Sequence, residues 1–207
     1  MSTPTVPEFI DRYTDTIHGL IDGISASNAN GPLPYEKAIG HAVELVRIAQ
    51  AANRKVIMVG NGGSAGIASH QAVDYWKNGG LRAIAFNDAS LLTCIGNDLG
   101  FENLFSAPIE RFADPEDIVF AISSSGSSPN ILNAAAAARK SACRLVTFSG
   151  FAADNALRAK GDLNFHVASH SYGLVEMLHL FIIHTILDTK LQCFDGRDVF
   201  RANQVRS

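Results

Sequence analysis

Four side chains able to bind a metal or move protons fall at helical spacing in two separate stretches of the chain. His70 and Asp74 lie four apart in Ser69-His70-Gln71-Ala72-Val73-Asp74, so on a helix they share one face. Glu176 and His184 lie eight apart in the apolar run Leu174 to Leu187, two turns and about 80° of rotation along a helix. His179 falls three after Glu176 but is rotated the other way. Two imidazoles and two carboxylates form a donor set for a divalent metal, zinc first among them, and equally a set for acid–base catalysis. A lone histidine on a helix is usually an ordinary surface or core residue. Here Glu176 and His184 interrupt an otherwise apolar run, where an unpaired charge is costly, and that weighs toward function.

A second kind of chemistry sits in two small-residue loops. Val56 to Val59 is an apolar run of strand length, followed by Gly60-Asn61-Gly62-Gly63 and then Ser64, a good helix N-cap, ahead of an alanine-rich helical stretch. Glycines let a ligand approach the backbone closely, and a helix start offers free N–H groups and a favourable dipole, so this is an anion site. Gly60-x-Gly62-x-x-Ala65 also fits a dinucleotide-binding fingerprint, but no Lys-Ser or Lys-Thr follows to make a P-loop. Ile118 to Ile122 repeats the arrangement. It runs into Ser123-Ser124-Ser125-Gly126-Ser127-Ser128, five serines and one glycine, and then into a helix from Ile131 to Lys140. Hydroxyls donate to phosphate oxygens. A dinucleotide fold would leave this serine loop unused, so phosphate binding is the better account of the pair.

The elements that must position these groups alternate regularly. Strands are expected at Val56–Val59, Leu81–Phe86, Ile118–Ile122, Arg144–Phe148 and Leu163–Val167, with helices between them and a long last helix from Ser171 to Leu191. Strand–helix alternation gives an α/β three-layer sandwich whose five-stranded parallel sheet is covered by helices on both faces. In such sheets ligands bind at the C-terminal strand ends, where both loops fall. Two helices come first, residues 7–24 with an apolar stripe through Phe9, Tyr13, Ile17, Leu20 and Ile24, and residues 35–53. They have no place in a minimal βαβ unit and are free to cover the sheet or another subunit. The expected division is an N-terminal helix and linker over residues 1–34, an α/β domain carrying the two loops over 35–191, and a polar tail over 192–207 that the pattern does not place. Residues 96–101 read as a loop after a short helix from Leu91 to Ile95.

Composition narrows the partners. The 207 residues carry a net charge of −3, which argues against nucleic acid as the main partner. Cys94, Cys143 and Cys193 are odd in number and show no C-x-x-C spacing, so neither a disulfide frame nor a zinc ribbon is expected, and a reducing cytoplasm fits. The most apolar stretch is too short and too polar to span a membrane, and the N-terminus has no signal-peptide pattern.

Gly60-Asn61-Gly62-Gly63-Ser64, then Gly96-Asn97-Asp98-Leu99-Gly100-Phe101, then Ile122 through Asn130, in this order and spacing, resemble the SIS (sugar isomerase) domain family. The likeness covers about residues 35–190 and is nearest to members that isomerise sedoheptulose 7-phosphate. It implies aldose–ketose isomerisation of a phosphorylated sugar through an enediol(ate), a homotetramer with active sites at subunit contacts, and a divalent metal. By position, Ser64, Ser123, Ser124, Ser125 and Ser128 would hold the phosphate, with Gly62 in the same turn. Asn61, Asn97 and Asp98 would face the sugar. His70, Asp74, Glu176 and His184 would hold the metal, with Asp74, Glu176 and His184 also catalytic.

Two positions depart from the family pattern. Asp74 stands where the family places a catalytic glutamate, and Glu176 where it places a glutamine. Asn78, beside Lys77, replaces an expected arginine. Because Asp74 is one methylene shorter than glutamate, Glu176 is the favoured base on sequence grounds. Other readings are a non-catalytic sugar-phosphate sensor or protein-binding regulator of the same family, and, more distantly, a nucleotide-dependent oxidoreductase.

Overall fold

The computed structural model describes residues 3–201. Seven helices and seven strands follow in the order α1 (Val6–Asp22), β1 (Ser25–Asn28), β2 (Gly31–Leu33), α2 (Tyr35–Ala51), β3 (Lys55–Gly60), α3 (Gly63–Lys77), β4 (Arg82–Ala85), α4 (Ala89–Asp98), α5 (Ser106–Phe112), β5 (Ile118–Ser123), α6 (Pro129–Lys140), β6 (Arg144–Gly150), β7 (Leu163–Val167) and α7 (Tyr172–Cys193). All strands join one sheet, ordered β2–β1–β7–β6–β5–β3–β4. β3 to β7 are parallel, while β1 pairs antiparallel with β7 and β2 antiparallel with β1.

The five expected parallel strands are therefore present, and the sheet is larger than expected by a hairpin. Residues 25–33, expected as a polar linker, extend the sheet past β7. Ser-Ala-Ser-Asn carries no strand propensity, but the free edge of β7 offers unpaired backbone groups that the hairpin satisfies. Pro32 sits in the outermost strand, the position in a sheet that tolerates its missing N–H.

β3 and β5 are buried along nearly their whole length, as strands covered on both faces must be. On one face α2, α3 and α7 pack through Val46, Tyr75, Leu178 and Ile182 onto Met58 and Phe120. On the other, α5 and α6 pack through Ile109, Ile131 and Ala134 onto Ile57, Val119 and Leu145. Three layers result, as the alternation of elements requires. From β3 the chain steps outward to β4, then returns to the opposite side of β3 as β5. That reversal places the ends of β3 and β5 side by side at a topological switch point, where open α/β sheets bind ligands.

α1 stands apart from this core. None of its residues is buried, and Val6, Phe9 and Ile10 are each more than half exposed, while Leu20 and Ile21 at its far end lean on the core. The start of the polar tail folds back. Arg197 donates to the Asn78 carbonyl at 2.6 Å and the Arg47 guanidinium lies over the Phe194 ring. Residues 202–207, the end of that tail, lie outside the described residues.

One core position is out of keeping with its surroundings. Gln71, on the sheet side of α3, is fully buried, and neither its amide oxygen nor its nitrogen has a hydrogen-bond partner. A buried amide without partners keeps its full desolvation cost, whereas methionine of similar length leaves no polar atom behind. Gln71→Met is expected to stabilise the fold by about 1–3 kcal/mol in urea unfolding. A midpoint unchanged or lowered would show that the amide is satisfied in solution.

Candidate active site

The glycine turn is shaped by close approach. Gly62 has φ 53°, a left-handed conformation that suits glycine, and α3 begins at the next residue. The N-cap is thus Gly62 rather than Ser64, which lies inside the first turn and is buried. A Cβ on Gly60 would sit 2.6 Å from the Ser64 backbone oxygen, and one on Gly63 would run into the Glu176 carboxylate. In the serine loop, Gly126 is also left-handed, at φ 63°, and Ser128 is the N-cap of α6. Asn61 and Asn130 exchange amide hydrogen bonds of 2.9 and 2.8 Å, locking the two loops together. The Asn61 amide, expected to face a sugar, is in this way committed to Asn130.

Between the loops lies a cavity of about 240 Å³. It is lined by residues 61–64, by 122–125 and Ser128, and by Tyr172 and Glu176 of α7. The N-termini of α3, α6 and α7 all open onto it, so three helix dipoles point their positive ends at one space. The Ser123 hydroxyl accepts from the Gly126 N–H at 3.1 Å, and the Ser125 hydroxyl interacts with both polar groups of Ser127. The Ser124 hydroxyl is buried and has no partner. Among the described residues Glu176 is the sole charged side chain lining the cavity, so an anion here would be held by neutral donors and dipoles. All the expected phosphate residues meet here: Gly62, Ser64, Ser123, Ser124, Ser125 and Ser128. Asn97 and Asp98 do not line the cavity. They form the last turn of α4, which Asp88 caps by accepting from the Ser90 and Leu91 N–H groups and which runs one turn beyond the expected start of a loop. Tyr172 was not singled out from the sequence, since a first helical residue after a polar loop carries no pattern.

A second group of residues lies further along the same pair of helices. α3 and α7 run side by side: Gly63 meets Glu176, the Tyr75 hydroxyl donates to the Ile183 carbonyl at 3.1 Å, and Asp74 meets His184. His70 Nε2 lies 3.2 Å and His184 Nδ1 4.0 Å from Asp74 Oδ2, and the two imidazoles stand edge to face with centroids 5.6 Å apart. One ligand atom from each of the three lies within 4.8 Å of the others, a spacing and donor set that fit a divalent ion of zinc type. Asn78 donates to Asp74 Oδ1 at 3.1 Å, so the residue in place of an arginine orients the carboxylate. Asp188, one turn after His184, was also missed. Burial pushes its carboxyl above the usual range, His184 pulls it back and the Asp74 charge adds to the rise, which places it within electrostatic reach of the group. The signal was its four-residue spacing from His184.

Glu176 is the expected ligand that the structure puts elsewhere. Between Glu176 and His184 α7 rises about 12 Å, and the Glu176 carboxylate packs against Gly63 at the cavity end. His179 is separate again. It is buried beneath the sheet end with Nε2 3.0 Å from the Ser149 carbonyl, and burial lowers its pKa to about 4. It is therefore neutral at pH 7 and donates from Nε2, holding α7 to β6.

The sheet has helices on both faces and small-residue loops at its switch point; the model of the family described as "SIS domain" matches residues 12–150, and the chain belongs to that family. Its relatives carry a more particular name. A phosphoheptose isomerase of Geobacter sp. (strain M21) is 40% identical over 157 residues, 73% of this chain and 81% of the relative. That of Syntrophotalea carbinolica is 33% identical over 185 residues, 86% and 90% of the two chains. Among solved structures, a phosphoheptose isomerase from Francisella tularensis superposes with a TM-score of 0.79 at 26% identity, covering 91% of this chain and 100% of the other. The enzyme from Neisseria gonorrhoeae gives 0.77 at 26%, covering 93% and 100%.

Proposed function

We propose that this chain is a sugar-phosphate isomerase that interconverts a ketose and an aldose phosphate, with sedoheptulose 7-phosphate or a related long-chain sugar phosphate as substrate. The observation that carries the reading is the cavity at the switch point, where the serine loop and three helix N-termini line one space. Hydroxyl and backbone N–H groups there would donate to phosphate oxygens. The names of the relatives supply the sugar class.

The spacing of the two groups supports a long substrate. From Gly63 to His70 the α3 axis rises about 10 Å. Six carbon–carbon bonds of about 1.5 Å, extended, span about 7–8 Å before the phosphate ester is added. A seven-carbon chain anchored in the serine loop thus brings its carbonyl end level with His70, Asp74 and His184. There a carboxylate takes the proton alpha to the carbonyl, leaving an enediol(ate), and the proton returns to the neighbouring carbon. We assign that base to Asp74 and the transfer of the proton between the two oxygens to His184. Glu176, beside the phosphate end, is too far along the helix to reach the same carbon. His70, Asp74 and His184 would also hold a divalent metal, for which zinc is our proposal. When bound, it supplies Lewis-acid polarisation of the carbonyl.

NMR of a panel of ketose and aldose phosphates tests the activity. Interconversion of a long-chain member supports the reading, and tight binding of every member with no interconversion identifies a sugar-phosphate sensor instead. Ser125→Ala and Ser128→Ala are each expected to raise KM by the equivalent of about 1.5–3 kcal/mol, the worth of a hydrogen bond to a charged acceptor. Unchanged KM in both would remove the phosphate from this cavity.

We also propose a homotetrameric assembly in the cytoplasm. The support is α1, whose apolar residues Val6, Phe9 and Ile10 stay exposed among the described residues of the single chain. No helix among the described residues is long and apolar enough to cross a membrane. Deleting residues 1–23 spares the β1–β2 hairpin and is expected to reduce the assembled mass in light scattering. A deletion variant of unchanged subunit number would rule α1 out as the assembly element.

A further inference from the structure

Three aromatic side chains pack together, and one of them lines the cavity. Tyr172, the first residue of α7, lines it and is 63% exposed. Phe151 packs edge-on to the Tyr172 ring, with centroids 4.9 Å apart and planes at 76°. His170 stacks on Phe151 with centroids 5.5 Å apart and planes at 24°. Phe151 adopts φ 55°, a left-handed conformation that is rare for a bulky residue, and its N–H donates to the Ser169 carbonyl at 3.0 Å. The preceding Gly150 is tightly packed, since a Cβ there would lie 2.7 Å from Val175 and 3.0 Å from the Ser124 carbonyl. A strained backbone that holds an aromatic ring beside a ligand cavity points to a function for the ring it supports.

We infer that Tyr172, buttressed by Phe151 and His170, is a binding wall for the polyol chain of the substrate, next to the phosphate. This deepens the isomerase reading and rests on it. The cavity supplies hydroxyl and backbone donors on the sheet side, and the tyrosine closes the opposite side with an apolar face and a phenol. A carbon chain leaving the serine loop has C–H groups on one side and hydroxyls on the other, and a tyrosine ring meets both, its face against C–H groups and its hydroxyl against an alcohol. Tyr172 lies one turn before Glu176, so the two share a face of α7, and the chain passes both on its way to His70 and His184. Inorganic phosphate, which has no carbon chain, does not use this wall.

The test uses full-length protein with sedoheptulose 7-phosphate as substrate and inorganic phosphate as competitor. Tyr172→Ala is expected to raise KM for the sugar phosphate about tenfold while kcat stays within about twofold and the inhibition constant for phosphate is unchanged. Tyr172→Phe should recover most of the loss if the ring face dominates. Phe151→Gly, which suits the left-handed backbone but removes the buttress, should raise KM in the same direction by a smaller factor. Unchanged KM in Tyr172→Ala, or an equal loss for sugar phosphate and inorganic phosphate, overturns the wall. So does a change in subunit number, which would make these aromatics an assembly contact. Failure of the isomerase reading is distinct: the unmodified protein would then not turn over any sugar phosphate.

Discussion

Asp74→Asn is expected to lower kcat by about 10²–10⁴, the usual worth of a positioned general base, while sugar-phosphate binding at the serine loop persists. Asparagine keeps the shape of the side chain and its reach toward Asn78, but it cannot take a proton. The readout that isolates the step is solvent deuterium exchange at the carbon alpha to the carbonyl, which should vanish in this variant. Glu176→Gln is the contrasting variant. Its carboxylate lies against Gly63, at the cavity end of α3, so neutralising it removes a negative charge beside the phosphate rather than a base. Exchange should continue at the unmodified rate, and KM should fall about fivefold, the equivalent of about 1 kcal/mol of Coulomb repulsion at close range. If Glu176→Gln abolishes exchange and Asp74→Asn retains it, the two roles are reversed, and α7 must bring Glu176 down to the histidines during turnover.

The separate placement of these two carboxylates shows what a sequence reading can reach. Spacing along one helix was legible: four residues put His70 and Asp74 on one face, and the structure holds them 3.2 Å apart. Spacing across two helices was not, because it depends on how α3 and α7 slide past each other. Glu176 and His184 share a helix and a donor chemistry, yet Glu176 is level with Gly63 and His184 with Asp74. The glycine and serine loops were legible because small residues between buried strands and helix starts have little other use. The β1–β2 hairpin was not, since its pairing comes from the free edge of β7, formed by residues 163–167, far along the chain. The Tyr172 wall escaped for a similar reason. Its support comes from Phe151, 21 residues earlier, and from a backbone angle that no residue type announces.

Gly60→Ala is expected to produce the largest loss of ligand binding of any single methyl addition to the site. Gly60 ends β3 in register with Ile122, just before the serine loop, and β3 and its neighbour β5 are both buried, so the strand end cannot easily move aside. The added Cβ would meet the oxygen, the carbonyl carbon and the Cβ of Ser64 at 2.6–2.7 Å, and two of those atoms are backbone of the first turn of α3. No rotamer change relieves that contact, so the start of α3 must shift. Its N–H groups would then leave the cavity, and the Asn61–Asn130 pair that ties it to the serine loop would be strained. Overpacking of this kind costs about 1–3 kcal/mol of stability, and the displaced donors should weaken inorganic phosphate binding by at least as much again. Gly66→Ala is the matched control. It adds the same methyl one turn further into the same helix, where nothing lies within 4 Å, and should stabilise the protein by about 0.5–1 kcal/mol with phosphate binding unchanged. Calorimetric titration of both variants with inorganic phosphate, alongside thermal unfolding, separates the two effects. If Gly60→Ala binds phosphate as tightly as the unmodified protein, then the turn at the end of β3 is not where the anion sits, and the serine loop alone must hold it.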